Sequence, residues 1–239
     1  MNEYYNLKGH FKAEVIDKNG DVVDVYEEHN YIMLPARRVV SEMFTNTLNT
    51  GLNYLILGTH GTTNEVPITE ENGFSKLRTS LYSEYAYYEL NTTQYVYVYS
   101  IIKVGSKYYK YLGETGDVEI TSQALADTSK FEEISSPYVY KLYVNENVFD
   151  GETNIARNSD NSCVISYTTD SGDNLENTTV TYVYELGMTQ GNDENPERGI
   201  SSFTEAGMYI NNKLFCMKCF PMKVKDSSTK LRITWKIIF

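Results

Sequence analysis

The sequence predicts a mainly β fold: a β-sandwich-like core made from both ends of the chain, one α-helix packed on it, and an inserted β-rich lobe. Three observations carry this. Runs that alternate apolar and polar residues recur along the chain, most clearly at Leu231, Ile233, Trp235, Ile237 and Phe239, and a period of two is the signature of a half-buried strand. Tight-turn pairs stand between such runs, at Asn19-Gly20, Gly105-Ser106 and Asn211-Asn212. The 239 residues include 22 tyrosines, a residue suited to half-buried sheet positions.

The elements follow in order. His10–Ile16 alternates in polarity, Asn19-Gly20 turns the chain, and Asp21–Tyr26 returns as the second strand of a hairpin. After Asn30 the period changes. Pro35 suits a first helical turn, Val39, Val40, Met43 and Phe44 share one helical face, and Gly51 is a stop signal, so a helix is expected over 34–48. A buried strand should follow at Leu52–Leu57, then a turn-rich loop from Gly58 to Asn64, then a strand near Ser80–Leu90.

Asn91–Asp150 reads as the inserted lobe, leaving 1–90 and 151–239 for the core. Gln94–Val104 and Ser106–Tyr111 form an expected hairpin, with a short helix near Ser122–Asp127 and a strand at Tyr138–Val144. Tyrosines stand on both faces of these strands. Once one face is packed the other is free for contact, which makes Tyr95, Tyr97, Tyr99, Tyr108, Tyr109 and Tyr111 the interface candidates. In the last third, Cys163–Thr168, Thr178–Glu185, Met208–Ile210, Lys213–Phe215 and the run to Phe239 are strands, and Gln190–Glu197 is a polar loop.

Charge and composition exclude several classes. A net charge of −11 opposes binding to nucleic acid, whose phosphates demand clustered Lys and Arg. No apolar run approaches the ~18 residues of a membrane-spanning helix, so membrane insertion is not expected. The start, Met1–Asn6, lacks a signal-peptide pattern, and with three cysteines the expectation is synthesis in a reducing cytoplasm.

No motif in the chain demands a cofactor. Cys216 and Cys219 make a C-x-x-C, but they lie in a strand-like run where residues three apart face opposite ways, so a shared zinc is not expected. The Gly58–Asn64 loop lacks the Lys-Ser/Thr pair of a phosphate-binding loop. His10, His29 and His60 are expected on separate surface or loop positions, away from metal-ligand spacing. Glu27-Glu28, Glu70-Glu71 and Glu132-Glu133 are adjacent acids, whose side chains diverge and so do not suggest a glycosidase pair.

The order of these elements resembles a loosely related group of tailed-bacteriophage virion structural proteins, found among tail, baseplate and fibre-attachment components. The resemblance rests on Asn30 with the helix after it and on Leu57-Gly58-Thr59-His60-Gly61-Thr62-Thr63. It continues in Phe203–Met208, in Leu214-Phe215 with Phe220-Pro221, and in Leu231–Phe239. It covers roughly residues 8–85 and 155–239 and skips the lobe; His60 and the long insertion depart from the usual pattern. It implies a non-enzymatic virion component of the tail, neck or fibre-attachment region, made in a host bacterial cytoplasm, whose partners are copies of itself and other virion proteins. Two rivals stand beside it. One is a receptor-binding module whose lobe tyrosines stack on a host-surface glycan; the other is a glycan hydrolase.

Overall fold

A computed structural model of the chain describes residues 8–44, 54–143, 148–150, 155–157, 163–169, 178–192, 201–210 and 212–238. β1 (Lys8–Asp17) and β2 (Val22–His29) form the first hairpin, and β3 (Tyr31–Ile32) leads into α1 (Leu34–Phe44) and β4 (Tyr54–Gly58). The short strands β5 (Thr62–Thr63), β6 (Val66–Pro67) and β7 (Ala86–Tyr87) precede β8 (Thr92–Val96), β9 (Ile101–Val104), β10 (Lys107–Tyr111) and β11 (Gly116–Ile120). The one-turn α2 (Ser122–Leu125) leads to β12 (Phe131–Ile134), β13 (Val139–Tyr143), β14 (Val148–Asp150) and β15 (Ile155–Arg157). β16 (Cys163–Thr169), β17 (Thr178–Leu186), β18 (Ser201–Ile210), β19 (Lys213–Lys225) and β20 (Thr229–Ile238) complete the chain order.

The protein is mainly β, and two antiparallel sheets make its core. A seven-stranded sheet runs β14-β15-β16-β17-β20-β1-β2, and a five-stranded sheet runs β13-β4-β18-β19-β3. The two ends of the chain meet in the first: β1 pairs with β20, Phe11 opposite Trp235. The alternation read at the end of the sequence is real. Leu231, Ile233, Trp235 and Ile237 are buried between the sheets with Phe11, Ala13 and Val15, facing Leu55, Leu57, Phe203, Met208 and Phe220 of the other layer. Ala36 and Val39 of α1 pack on this core, as the helical pattern requires; positions 45–48 of the expected helix lie outside the described residues.

The other face of the five-stranded sheet is buried as well. Tyr54, Ile56, Tyr209, Leu214, Met217 and Cys219 are covered by Ile68, Phe74, Leu81 and Tyr82 from the stretch between β6 and β7. This accounts for one correction. The strand expected over Ser80–Leu90 shrinks to β7, because Leu81 and Tyr82 turn inward as a lid on the sheet instead of extending along an edge.

A second correction lies in the tyrosine-rich run Gln94–Val104, which is not one strand. It breaks at Tyr97–Ser100, where Ser100 N–H donates to the Tyr97 carbonyl at 3.1 Å and Tyr99 adopts φ 63°. β8 then pairs with β11, while β9 joins the small sheet β12-β10-β9-β7. The hairpin at Gly105-Ser106 forms as expected, with Gly105 at φ 60°. Val96, Ile102, Tyr109, Tyr111, Ile120 and Phe131 make a separate small core here. The sheets around that core draw on residues 86–134, whereas β13 hydrogen-bonds to β4 of the main core and β14 joins the seven-stranded sheet.

Candidate functional site

Two places concentrate polar chemistry. The first is a buried joint around Glu205. On β18, Phe203, Ala206 and Met208 face the sandwich core, while Glu205, Gly207 and Tyr209 face the covering stretch. Glu205 is fully buried. Its carboxylate accepts the backbone N–H of Tyr82 at 2.8 Å and of Ser83 at 2.7 Å, and the Ser83 hydroxyl donates to it. The same hydroxyl accepts the N–H of Thr59 at 2.8 Å and of His60 at 2.9 Å. Burial pushes the Glu205 pKa up, opposed by these donors and by the charge of Arg78.

The glycines of the Gly58–Thr63 loop are explained by this joint. A side-chain carbon on Gly58 would lie 2.5 Å from Ser83 Oγ and 2.6 Å from Glu205 Oε1, and one on Gly61 would lie 2.5 Å from the Thr204 carbonyl oxygen. The loop's glycines therefore serve close approach to β18, and Gly61 N–H is held by Thr204 Oγ1 at 2.9 Å. His60 lies in this loop, as expected, and is half-buried there. Its Nδ1 lies 3.0 Å from Thr59 Oγ1, and burial with the nearby Lys110 charge lowers its pKa to about 4.

Ser83, His60 and Glu205 are thus neighbours without forming a catalytic triad. The imidazole is turned to Thr59, not to the serine, and Ser83 Oγ is buried with its proton given to Glu205 and two N–H groups donated to it. A nucleophile needs access to substrate, and Ser83 is buried. The joint also fastens the small lobe: Lys110 of β10, itself buried, donates to the Thr62 carbonyl at 2.9 Å, and Arg78 Nη1 donates to Ser100 Oγ at 2.8 Å.

The second place is a cleft of about 390 Å³ between the Arg78–Tyr88 stretch and the β8–β9 region. Arg78, Glu84, Tyr85, Tyr88, Tyr95 and Tyr97 line it. Tyr85 and Tyr95 are 46% and 54% exposed. Their rings are braced: Tyr95 meets Tyr97 edge-on at 5.4 Å, Tyr85 meets Tyr108 edge-on at 5.0 Å, and Lys103 Nζ sits 5.3 Å from the centre of Tyr85 and 5.0 Å from that of Tyr108.

The six tyrosines singled out by sequence part company. Tyr95 and Tyr97 line the cleft, and Tyr108 braces its wall from outside. Tyr99 is half-buried under Lys110 at 5.4 Å. Tyr109 and Tyr111 are core side chains of the small lobe, which removes them as contact candidates: period-two alternation identifies two faces but not which one is covered. Tyr85 and Tyr88 were not singled out because their segment reads as one tyrosine-rich strand near Ser80–Leu90, and only the turn at Leu81–Glu84 brings them to the cleft.

Cys216 packs in the inter-sheet core and Cys219 on the opposite face, each with its thiol pKa pushed up by burial. His10 and His29, distant in sequence, face each other across the β1–β2 register at 6.2 Å, yet among the described residues no group of three or more His, Cys, Asp or Glu side chains is placed to hold a metal ion. Of the paired acids, Glu28 is bound to Lys218 at 2.7 Å and Glu133 to Lys107 at 2.8 Å. Compared with known proteins, the chain matches no family model, no curated protein and no solved structure.

Proposed function

We propose that this chain is a non-enzymatic structural component of a tailed-bacteriophage particle, in its tail, neck or fibre-attachment region, held by contacts with copies of itself and other virion proteins. One observation carries the reading. Two of the stretches on which the sequence resemblance rests, Leu57–Thr63 and Phe203–Met208, meet in space at the Glu205 joint, where Gly61 N–H donates to Thr204 Oγ1 and both Gly58 and Gly61 pack closely on β18. The pattern is that of a packing device, as the resemblance implies.

The outer strand β2 supports the same reading. Among the described residues it is bonded on one side only, and Val22, Val23 and Val25 are exposed along it. An open edge strand with exposed apolar residues is a place for another chain to pair or pack. Quantitative mass spectrometry of density-purified particles tests the assignment. The expected result is this chain in fixed stoichiometry to the other virion proteins; its recovery only from the soluble lysate would reject the assignment.

A further inference from the structure

We infer that the tyrosine-lined cleft is a binding site for a neutral saccharide. The inference goes beyond an assembly role and stands independently of it, because it uses only the cleft's own chemistry.

The charges in the cleft are already spent on the protein. Arg78 is buried, and its guanidinium donates to the carbonyls of Ser80 at 3.3 Å and Leu81 at 3.2 Å and to Ser100 Oγ, while stacking 3.9 Å from the centre of the Tyr82 ring. Glu84 accepts the Leu81 N–H at 2.9 Å and the Tyr209 hydroxyl. An anionic ligand would have to break Arg78 from three partners, and a cationic one would have to compete for Glu84. What remains available is a set of hydroxyls, from Thr79, Ser80, Tyr88, Tyr95 and Tyr97, set among aromatic rings, while the Tyr85 hydroxyl is bonded to Tyr108.

Aromatic faces with neutral hydrogen-bonding groups match a sugar, which has an apolar C–H face and a polar rim. The size agrees. At about 390 Å³ the cleft lies in the lower part of the ~300–1,000 Å³ range of small-ligand sites, suited to a short glycan segment. The rings are also pre-ordered by their edge-on contacts and by Lys103, so that little side-chain freedom is lost on binding.

The full chain is tested on an array of neutral and acidic oligosaccharides, and the sugars retained are titrated by ligand-observed NMR. Tyr85→Ala and Tyr95→Ala truncate exposed rings of the cleft; Tyr87→Ala, 62% exposed and outside the cleft lining, is the control. The expected result is binding of a neutral oligosaccharide, weakened about tenfold or more (~1.4 kcal/mol) by each cleft variant and unchanged by Tyr87→Ala, with melting temperatures preserved. Three results would each overturn it: no neutral sugar bound, equal affinity in the folded Tyr95→Ala variant, or retention of acidic glycans alone with affinity lost as salt rises. None of these touches the particle inventory that tests the structural role.

Discussion

The carboxylate of Glu205 accepts the backbone N–H of Ser83 at 2.7 Å, joining β18 to a stretch 122 residues earlier in the chain. This contact positions the covering stretch on the five-stranded sheet, and through Thr59 and His60 it fixes the glycine loop as well. Replacing Glu205 with Ala leaves the Tyr82 and Ser83 N–H groups buried and unpaired. Each such group costs about 1–3 kcal/mol, so Glu205→Ala should lower stability by roughly 2–6 kcal/mol in urea unfolding, and an unchanged midpoint would refute the role.

Space at the glycines makes an internal comparison. A methyl group on Gly58 collides with Ser83 and Glu205, whereas one on Gly116 meets nothing within 4 Å. Gly58→Ala should destabilise by about 1–3 kcal/mol through overpacking, and Gly116→Ala should stay within about 0.5 kcal/mol of the parent. Thermal melts of the two variants side by side decide it.

His60 makes the protein sensitive to acid. Its folded pKa, about 4, lies below the ordinary 6.5, so the unfolded chain takes up the proton first as the pH falls. The stability it contributes is complete above pH 6.5 and is lost on the way down to about pH 4, a change on the order of 3 kcal/mol. Glu205, with a raised pKa, acts in the opposite sense but is present in both proteins when the parent is compared with His60→Gln. The variant should lose less stability across that interval; parallel pH profiles would reject the assignment.

The tyrosines should divide by burial and not by strand. Tyr109 is enclosed in the small lobe's core with Ile102 and Phe131, so Tyr109→Ala should cost about 3 kcal/mol, while the exposed Tyr87→Ala should be nearly silent. Trp235 sets the upper end. It is fully buried, with the Phe11 ring edge-on at 4.9 Å, and Trp235→Ala should cost about 3–5 kcal/mol.

Cys216 and Cys219 face opposite sides of β19 and both are buried. In a Cys163→Ser background neither should react with a thiol reagent until the protein unfolds. Two thiols titrating under native conditions would show that the strand geometry is wrong.

Local chemistry was enough for the sequence by itself to determine the class of fold, the first hairpin, the helix after Asn30, the separation of the two cysteines and the buried face of the last strand. Each rests on neighbours a few residues apart: alternation at Leu231–Ile237, turn residues at Asn19-Gly20, helical spacing at Val39 and Val40. Only the tertiary structure decided which tyrosines are covered, where the Gln94–Val104 run breaks, that β13 pairs with β4, and that His60 is half-buried against its neighbours. These depend on contacts between segments tens to more than a hundred residues apart. The Gly58–Thr63 loop shows the reason. Its glycines read as a turn or a weak phosphate motif, and nothing nearby in sequence reveals that a buried carboxylate at Glu205 will occupy the space a side chain would need.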